Sequence, residues 1–133
     1  LREIYSHPGA GLTAAISGVS GGTSAAFLSG PDRAFLQKFL LLLEKHLADE
    51  TLGVEDFAQK MFISRVQLHR KLKALTDRSA TDFIRDYRLE CALTMLKNRE
   101  GRVGEVALRV GFGNEKYFST AFKEKYGVSP SQV

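Results

Sequence analysis

One stretch of this chain is written twice. At an offset of 49 residues, Val54-Glu-Asp-Phe-Ala58-Gln-Lys-Met-Phe-Ile63 overlays Val103-Gly-Glu-Val-Ala107-Leu-Arg-Val-Gly-Phe112. One added residue then brings Leu68 over Phe118 and Leu72 over Phe122. Each copy reads as two short helices joined by a tight turn. A small residue (Ala58, Ala107) lets the second helix cross closely, an apolar residue after the turn (Ile63, Phe112) plugs the corner, and the second helix turns two large apolar residues inward. A chain built this way folds as two similar helical units, which leaves little room for a sheet.

The remaining elements follow from periodicity and stop signals. Ser64-Arg-Val-Gln67 is a capping box that starts the second helix of the first copy. Ser79-Ala-Thr-Asp82 starts a longer helix running to about Lys97, with Phe83, Ile84, Tyr87, Ala92, Leu93 and Leu96 as its buried positions. Gly127 and Pro130 close the second pair. Ahead of the repeat, a helix from about Asp32 to Ala48 carries a broad apolar stripe, and Gly30-Pro31 marks its start. From Ser6 to Gly30 no residue is charged, and Gly, Ala, Ser and Thr fill 18 of the 25 positions, so residues 1–30 read as a flexible linker. Gly18-Val-Ser20-Gly-Gly22 matches the nucleophile-elbow pattern, yet such an elbow needs a preceding buried strand and a larger α/β scaffold; composition alone produces the match.

Charge is uneven along the chain. Residues 1–63 carry 5 Lys/Arg and 7 Asp/Glu, a balance of −2, whereas residues 64–133 carry 14 and 8, a balance of +6. The densest piece is Arg65 to Lys73, where Arg65, Arg70, Lys71 and Lys73 occur with no acid, as a polyanionic partner would require. A single cysteine, Cys91, excludes an intrachain disulfide, and with only His7, His46 and His69 beside it neither a metal centre nor a cofactor site is expected. The longest apolar run, Phe39 to Leu43, is too short to span a membrane, and no export signal precedes it, so a cytoplasmic location is expected. Leu1 in place of Met is what a fragment or a processed product would show.

From about Leu52 to the end the residues carry a family resemblance. The hallmarks are Val54-Glu-Asp-Phe-Ala58, Ile63-Ser64-Arg65, Leu68-His-Arg70-Lys-Leu72-Lys73, Phe83-Ile-Arg85, Arg88-Leu89, Ala92, Val103-Gly-Glu105-Val-Ala107, Val110-Gly111-Phe112, Tyr117-Phe118-Ser119, Phe122-Lys123 and Gly127-Val-Ser-Pro130. This set resembles the DNA-binding domain of the AraC family of transcription regulators, and Ser64 to Thr76 is most similar to its response-regulator and hybrid two-component members. The resemblance implies an all-α domain over residues 31–133 with about seven helices. Two helix-turn-helix subdomains (about 54–75 and 103–126) would be joined by a long central helix (about 80–97), their second helices entering successive major-groove segments of double-stranded DNA. The residues expected to face bases are Val66, His69 and Arg70 in the first unit and Glu115, Lys116, Ser119 and Thr120 in the second; Arg65, Lys73, Arg78 and Lys123 are expected at phosphates. An upstream receiver or sensor domain is implied as a further partner, and no catalytic residue is.

Some positions depart from the family pattern. Phe62 fills the turn slot that Gly111 fills in the second copy, which predicts a strained or shifted first turn. Ala80 stands where Pro is common, and Arg102 where a capping Ser or Thr is common. The alternative function is a helical protein-interaction or dimerisation module. It rests on the first helix, where Phe35, Phe39 and Leu42 suffice for packing while Leu36, Leu40 and Leu43 are expected to point partly away, toward a second copy or another domain.

Overall fold

The computed structural model describes residues 29–133. Six α-helices and a closing 3-10 turn stand among these residues, with no strand. They are α1 (Gly30–Lys45), α2 (Val54–Lys60), α3 (Arg65–Thr76), α4 (Ala80–Lys97), α5 (Val103–Arg109), α6 (Glu115–Tyr126) and the turn Pro130–Gln132. The all-α class and both helix-turn-helix units stand as expected, and the six helices and closing turn among the described residues agree with the expectation of about seven. The Gly18 to Gly22 pattern, and the linker up to residue 28, lie outside the described residues.

The sequence repeat is a repeat of backbone hydrogen bonds. In the first unit the amide of Ile63 donates to the carbonyl of Ala58 at 3.1 Å; in the second, Phe112 donates to Ala107 at 2.8 Å. Between them, Phe62 donates to Gln59 and Gly111 to Leu108. Both turn residues are left-handed, with φ 62° at Phe62 and 89° at Gly111. Each second helix then starts on a side-chain cap: Ser64 Oγ accepts from Gln67 N–H at 3.0 Å, and Asn114 Oδ1 from Tyr117 N–H at 2.9 Å. Each ends on a left-handed residue, Asp77 (φ 61°) and Gly127 (φ 80°). The first helices also share a device, since the N–H groups of Gly53 and Arg102 donate to Asp56 and Glu105 three residues on. Glu105 serves the Arg102 amide, one half of a capping box; the other half, a hydroxyl that would accept from the Glu105 amide, is absent because Arg102 stands at the cap.

The two cores are filled differently. In the first, Leu68 and Leu72 are fully buried and α1 adds Phe39, whose ring meets Phe57 edge-on at 6.0 Å and Phe83 at 5.6 Å. In the second, Phe118 and Phe122 replace the leucines and form a ladder from Phe112 through to Tyr126, with centroid spacings of 5.2, 5.7 and 4.7 Å. Rings fill volume that α1 fills in the first unit. Burial of each such ring contributes roughly 1.5 to 3 kcal/mol.

The expectation for α1 is corrected. Leu36, Leu40 and Leu43 are buried with Phe39, while Phe35 and Leu42 are only half-buried. Spacing of 3, 1 and 3 residues places positions 36, 39, 40 and 43 on one arc, which is the arc that α1 turns to the core. The exposed apolar surface of α1 reduces to Leu41, so three outward leucines give no case for association. The helix begins at Gly30, capped by Ser29, whose Oγ accepts from Asp32 N–H at 3.2 Å. Along α4, Arg88, Leu89, Cys91 and Met95 are buried in addition to the expected Phe83, Ile84, Tyr87 and Ala92, whereas Leu93 and Leu96 are half-buried.

The two turn slots lead to opposite expectations. Phe62 is 88% exposed, with Lys38 Nζ 5.5 Å from its ring centroid, and its left-handed backbone costs more than that contact returns. Phe62→Gly should therefore stabilise the domain by about 1 kcal/mol, read as a higher midpoint in urea at unchanged slope. Gly111→Ala should be far more damaging than Gly127→Ala. A Cβ at Gly111 would lie 2.5 Å from the Leu47 carbonyl oxygen and 2.8 Å from Arg88 Nη1, whereas nothing lies within 4 Å of one at Gly127. Equal losses in thermal unfolding of the two variants would contradict this packing.

Candidate nucleic-acid interface

Helix α3 is held by its inward Leu68 and Leu72 and by the complete Ser64–Gln67 capping box, in which Ser64 N–H donates to Gln67 Oε1 at 2.9 Å. Leu75 and Thr76 are half-buried at its end, and the rest of the helix faces outward. Arg65, Val66, His69, Arg70 and Lys73 are all exposed, and no acid lies among them. Val66 is 58% exposed, an aliphatic group shown to water between cations. Lys73 Nζ reaches Asp77 Oδ1 at 3.8 Å, but both groups are exposed, and such a pair yields to a stronger anion at a cost of about 0 to 1 kcal/mol.

Helix α6 presents the equivalent face with different chemistry. Lys116, Thr120 and Lys123 are exposed and Ser119 is half-buried; Thr120 Oγ1 donates back to the Lys116 carbonyl at 3.1 Å. Glu115 lies on the flank nearest α5. Its carboxylate lies against Gly104, where a Cβ would be 2.8 Å from Oε1. The expected base-facing residues of α6 thus divide: Lys116 and Thr120 share the outer face, while Glu115 and Ser119 stand at its edge. Tyr117 is exposed on the other edge, its ring 5.6 Å from Phe112.

Arg78 is held differently from the other expected phosphate ligands. Its Nε lies 3.6 Å from Asp86 Oδ2, and Asp86, only 15% exposed, also lies 3.8 Å from Arg85 Nε and 3.9 Å from Lys125 Nζ. This acid gathers cations from the α3–α4 loop, the central helix and the last turn of α6, and Arg85 additionally reaches Asp82 Oδ1 at 3.4 Å. Arg65 and Lys123 stay exposed. Sequence patterning missed Asp86, because an acid among apolar helix positions signals only a polar flank.

Elsewhere the chemistry is inert. Cys91 is fully buried, and burial pushes its thiol up to about 12. Among the described residues no three His, Cys, Asp or Glu side chains converge as a metal ion would require, and no helix is long and apolar enough to cross a membrane.

Comparison with known proteins agrees with this geometry. A family model described as a helix-turn-helix domain matches residues 57–133. The chain is similar to histidine kinase P4 of Formosa agariphila, 33% identical over 105 residues that make up 79% of this chain and 8% of that protein. It is also similar to the transcriptional activator RhaS of Citrobacter koseri, 34% identical over 100 residues, which are 75% of this chain and 36% of the activator. The chain thus spans only a small part of the first relative and about a third of the second. Among solved structures, the C-terminal domain of AraT, a response regulator from Geobacillus stearothermophilus, superposes with a TM-score of 0.67 at 35% identity, covering 79% of this chain and 84% of that one.

Asp86 yields a test of how the cations are used. Asp86→Asn should release Arg78, strengthen binding to random-sequence duplex at low salt, and steepen the fall of affinity as salt rises by up to about one phosphate contact. An unchanged salt slope would show that Arg78 stays off the nucleic-acid backbone.

Proposed function

This chain belongs to the AraC-type family of helix-turn-helix DNA-binding domains of transcription regulators, and from that premise we propose that both of its recognition helices, α3 and α6, read one duplex together. The observation that carries this reading is the duplication of caps, turn bonds and left-handed stops in the two units. Two heads built to one plan, joined by a central helix of 18 residues, about 27 Å long, suit adjacent major-groove segments about 34 Å apart once the width of the heads is added. The family is one of DNA-binding domains, not of enzymes.

In this reading Arg70 grips a guanine edge bidentately, Val66 meets a thymine methyl, and His69 completes the first head. Lys116 and Thr120 supply the centre of the second head, with Glu115 and Ser119 at its margin. Arg65, Lys73, Arg78 and Lys123 hold phosphates, which fix register without reading sequence. The kinase relative and the response-regulator structure support a place at the output end of a two-component protein, below a receiver or sensor domain that controls it from the N-terminal side. Such a protein works in the cytoplasm, and pairing of two copies would extend the site it reads. Residues 1–30, rich in Gly, Ala and Ser, suit the tether between the two parts.

Selection from a random duplex pool tests the two-headed reading: the recovered motif should have two parts about one helical turn apart, and a single short motif of about 4 base pairs would refute it. On the recovered site, Arg70→Ala should cost on the order of 1 to 3 kcal/mol and relax preference at one position, while Lys73→Ala should weaken all duplexes alike. Equal losses for both variants on specific and random DNA would confine Arg70 to phosphate.

A further inference from the structure

Arg88 is the one buried charged residue among those described, 8% exposed on the central helix. Its guanidinium lies between the two units. Nη1 donates to the carbonyl of Gly111, in the turn of the second unit, at 3.0 Å, and Nη2 donates to the carbonyl of Asp49, in the loop from α1 to α2, at 3.1 Å. These acceptors lie 23 residues after it and 39 before it. Nε is buried without a partner.

The α1–α2 loop meets the second turn at further points. The Leu47 carbonyl and Arg88 close so tightly on Gly111 that no Cβ fits there, and the Glu50 carboxylate covers Gly113 so closely that a Cβ would collide with it. Glu50, Arg88, Gly111 and Gly113 also line one open groove of about 390 Å³. Glycine at 111 is thus required by the neighbouring unit as well as by the turn, while at Gly113 the approach is that of the Glu50 side chain. Asn114, the cap of α6, follows directly, so any movement at this joint passes into the start of the second recognition helix.

Stability alone gives a poor account of Arg88. Burying a guanidinium costs several kcal/mol, an unpartnered Nε adds to that cost, and an apolar residue of similar volume commonly serves as well. A planar fork holding two carbonyls fixes a distance and an angle, which an apolar contact does not. We infer that Arg88 is a positioning residue: together with Glu50 and the α1–α2 loop it sets the spacing and angle between α3 and α6, and through them which spacing of the two half-sites the domain accepts. This deepens the two-headed reading and rests on it for its DNA consequence. The joint itself is measurable without DNA.

Spin labels at Ala74→Cys and Glu124→Cys, equivalent exposed positions on the two recognition helices, report the distance between heads in the free full chain carrying Cys91→Ser. A single narrow distribution is expected with Arg88 present and a broadened one in Arg88→Lys, which keeps the charge and loses the fork. On the selected two-part site, inserting one base pair shifts a half-site by about 3.4 Å and turns it by about 35°. This insertion should weaken the unaltered protein on the order of 10- to 100-fold, and Arg88→Lys by no more than about threefold, with each half-site alone bound equally by both. Glu50→Gln, on the exposed loop, should shift both readouts the same way by less, and it stands in if Arg88→Lys loses helicity. Distance distributions equally narrow in all three proteins would overturn the proposal even where a two-part motif is recovered. A broadened distribution with only a single half-site recovered would uphold the joint and refute the two-headed reading instead.

Discussion

One backbone hydrogen bond, made twice, decides the architecture. The amide of the corner residue returns to the carbonyl of an alanine five residues earlier, Ile63 to Ala58 and Phe112 to Ala107. That bond requires a left-handed residue just before the corner, and it brings the following helix across the first at a distance only a methyl side chain permits. Once the corner is set, Ser64 and Asn114 start the next helix in a fixed direction. The inward pair, Leu68 with Leu72 or Phe118 with Phe122, then meets the core without further adjustment. The outward face of each recognition helix is what remains after these demands are met, which is why its residues are free to vary in chemistry.

Features encoded by local spacing were legible in the sequence. The alanines, the corner hydrophobes, the Ser64–Gln67 box and the anomaly at Phe62 each depend on residues within a few positions of one another, and each stands as the repeat predicts. What failed depended on distant chain. The buried arc of α1 lies closer to Leu36 and Leu40 than its periodicity suggested, because the direction in which a uniformly apolar helix turns is chosen by its neighbours. Arg88 was visible as a family hallmark, but its acceptors are carbonyls, which leave no mark in a sequence. Gly104 was a signal left unused. A glycine stands at the second position of a helix where the other copy has Glu55, and the Glu115 carboxylate lies against it.

The two heads differ electrostatically in a way their shared geometry conceals. Helix α3 carries cations and no acid, so its attraction to a polyanion is long-ranged and weakens with salt. Helix α6 carries Glu115 and Glu124 among its lysines, and Asp86 draws Lys125 and Arg78 back toward the central helix. The longer-ranged attraction for a polyanion therefore sits on the first unit and the weaker one on the second.

The strained turn at Phe62 has a kinetic counterpart. Its excess energy belongs to the closed form of the first unit and is released when α2 and α3 separate locally, whereas Gly111 stores no such excess in the second. At about 1 kcal/mol, the first unit visits its opened state roughly five times more often than it would with glycine in that slot. Amide protons along α3 therefore exchange with solvent sooner than the fold's symmetry implies, and the more cationic of the two heads is also the more readily remodelled.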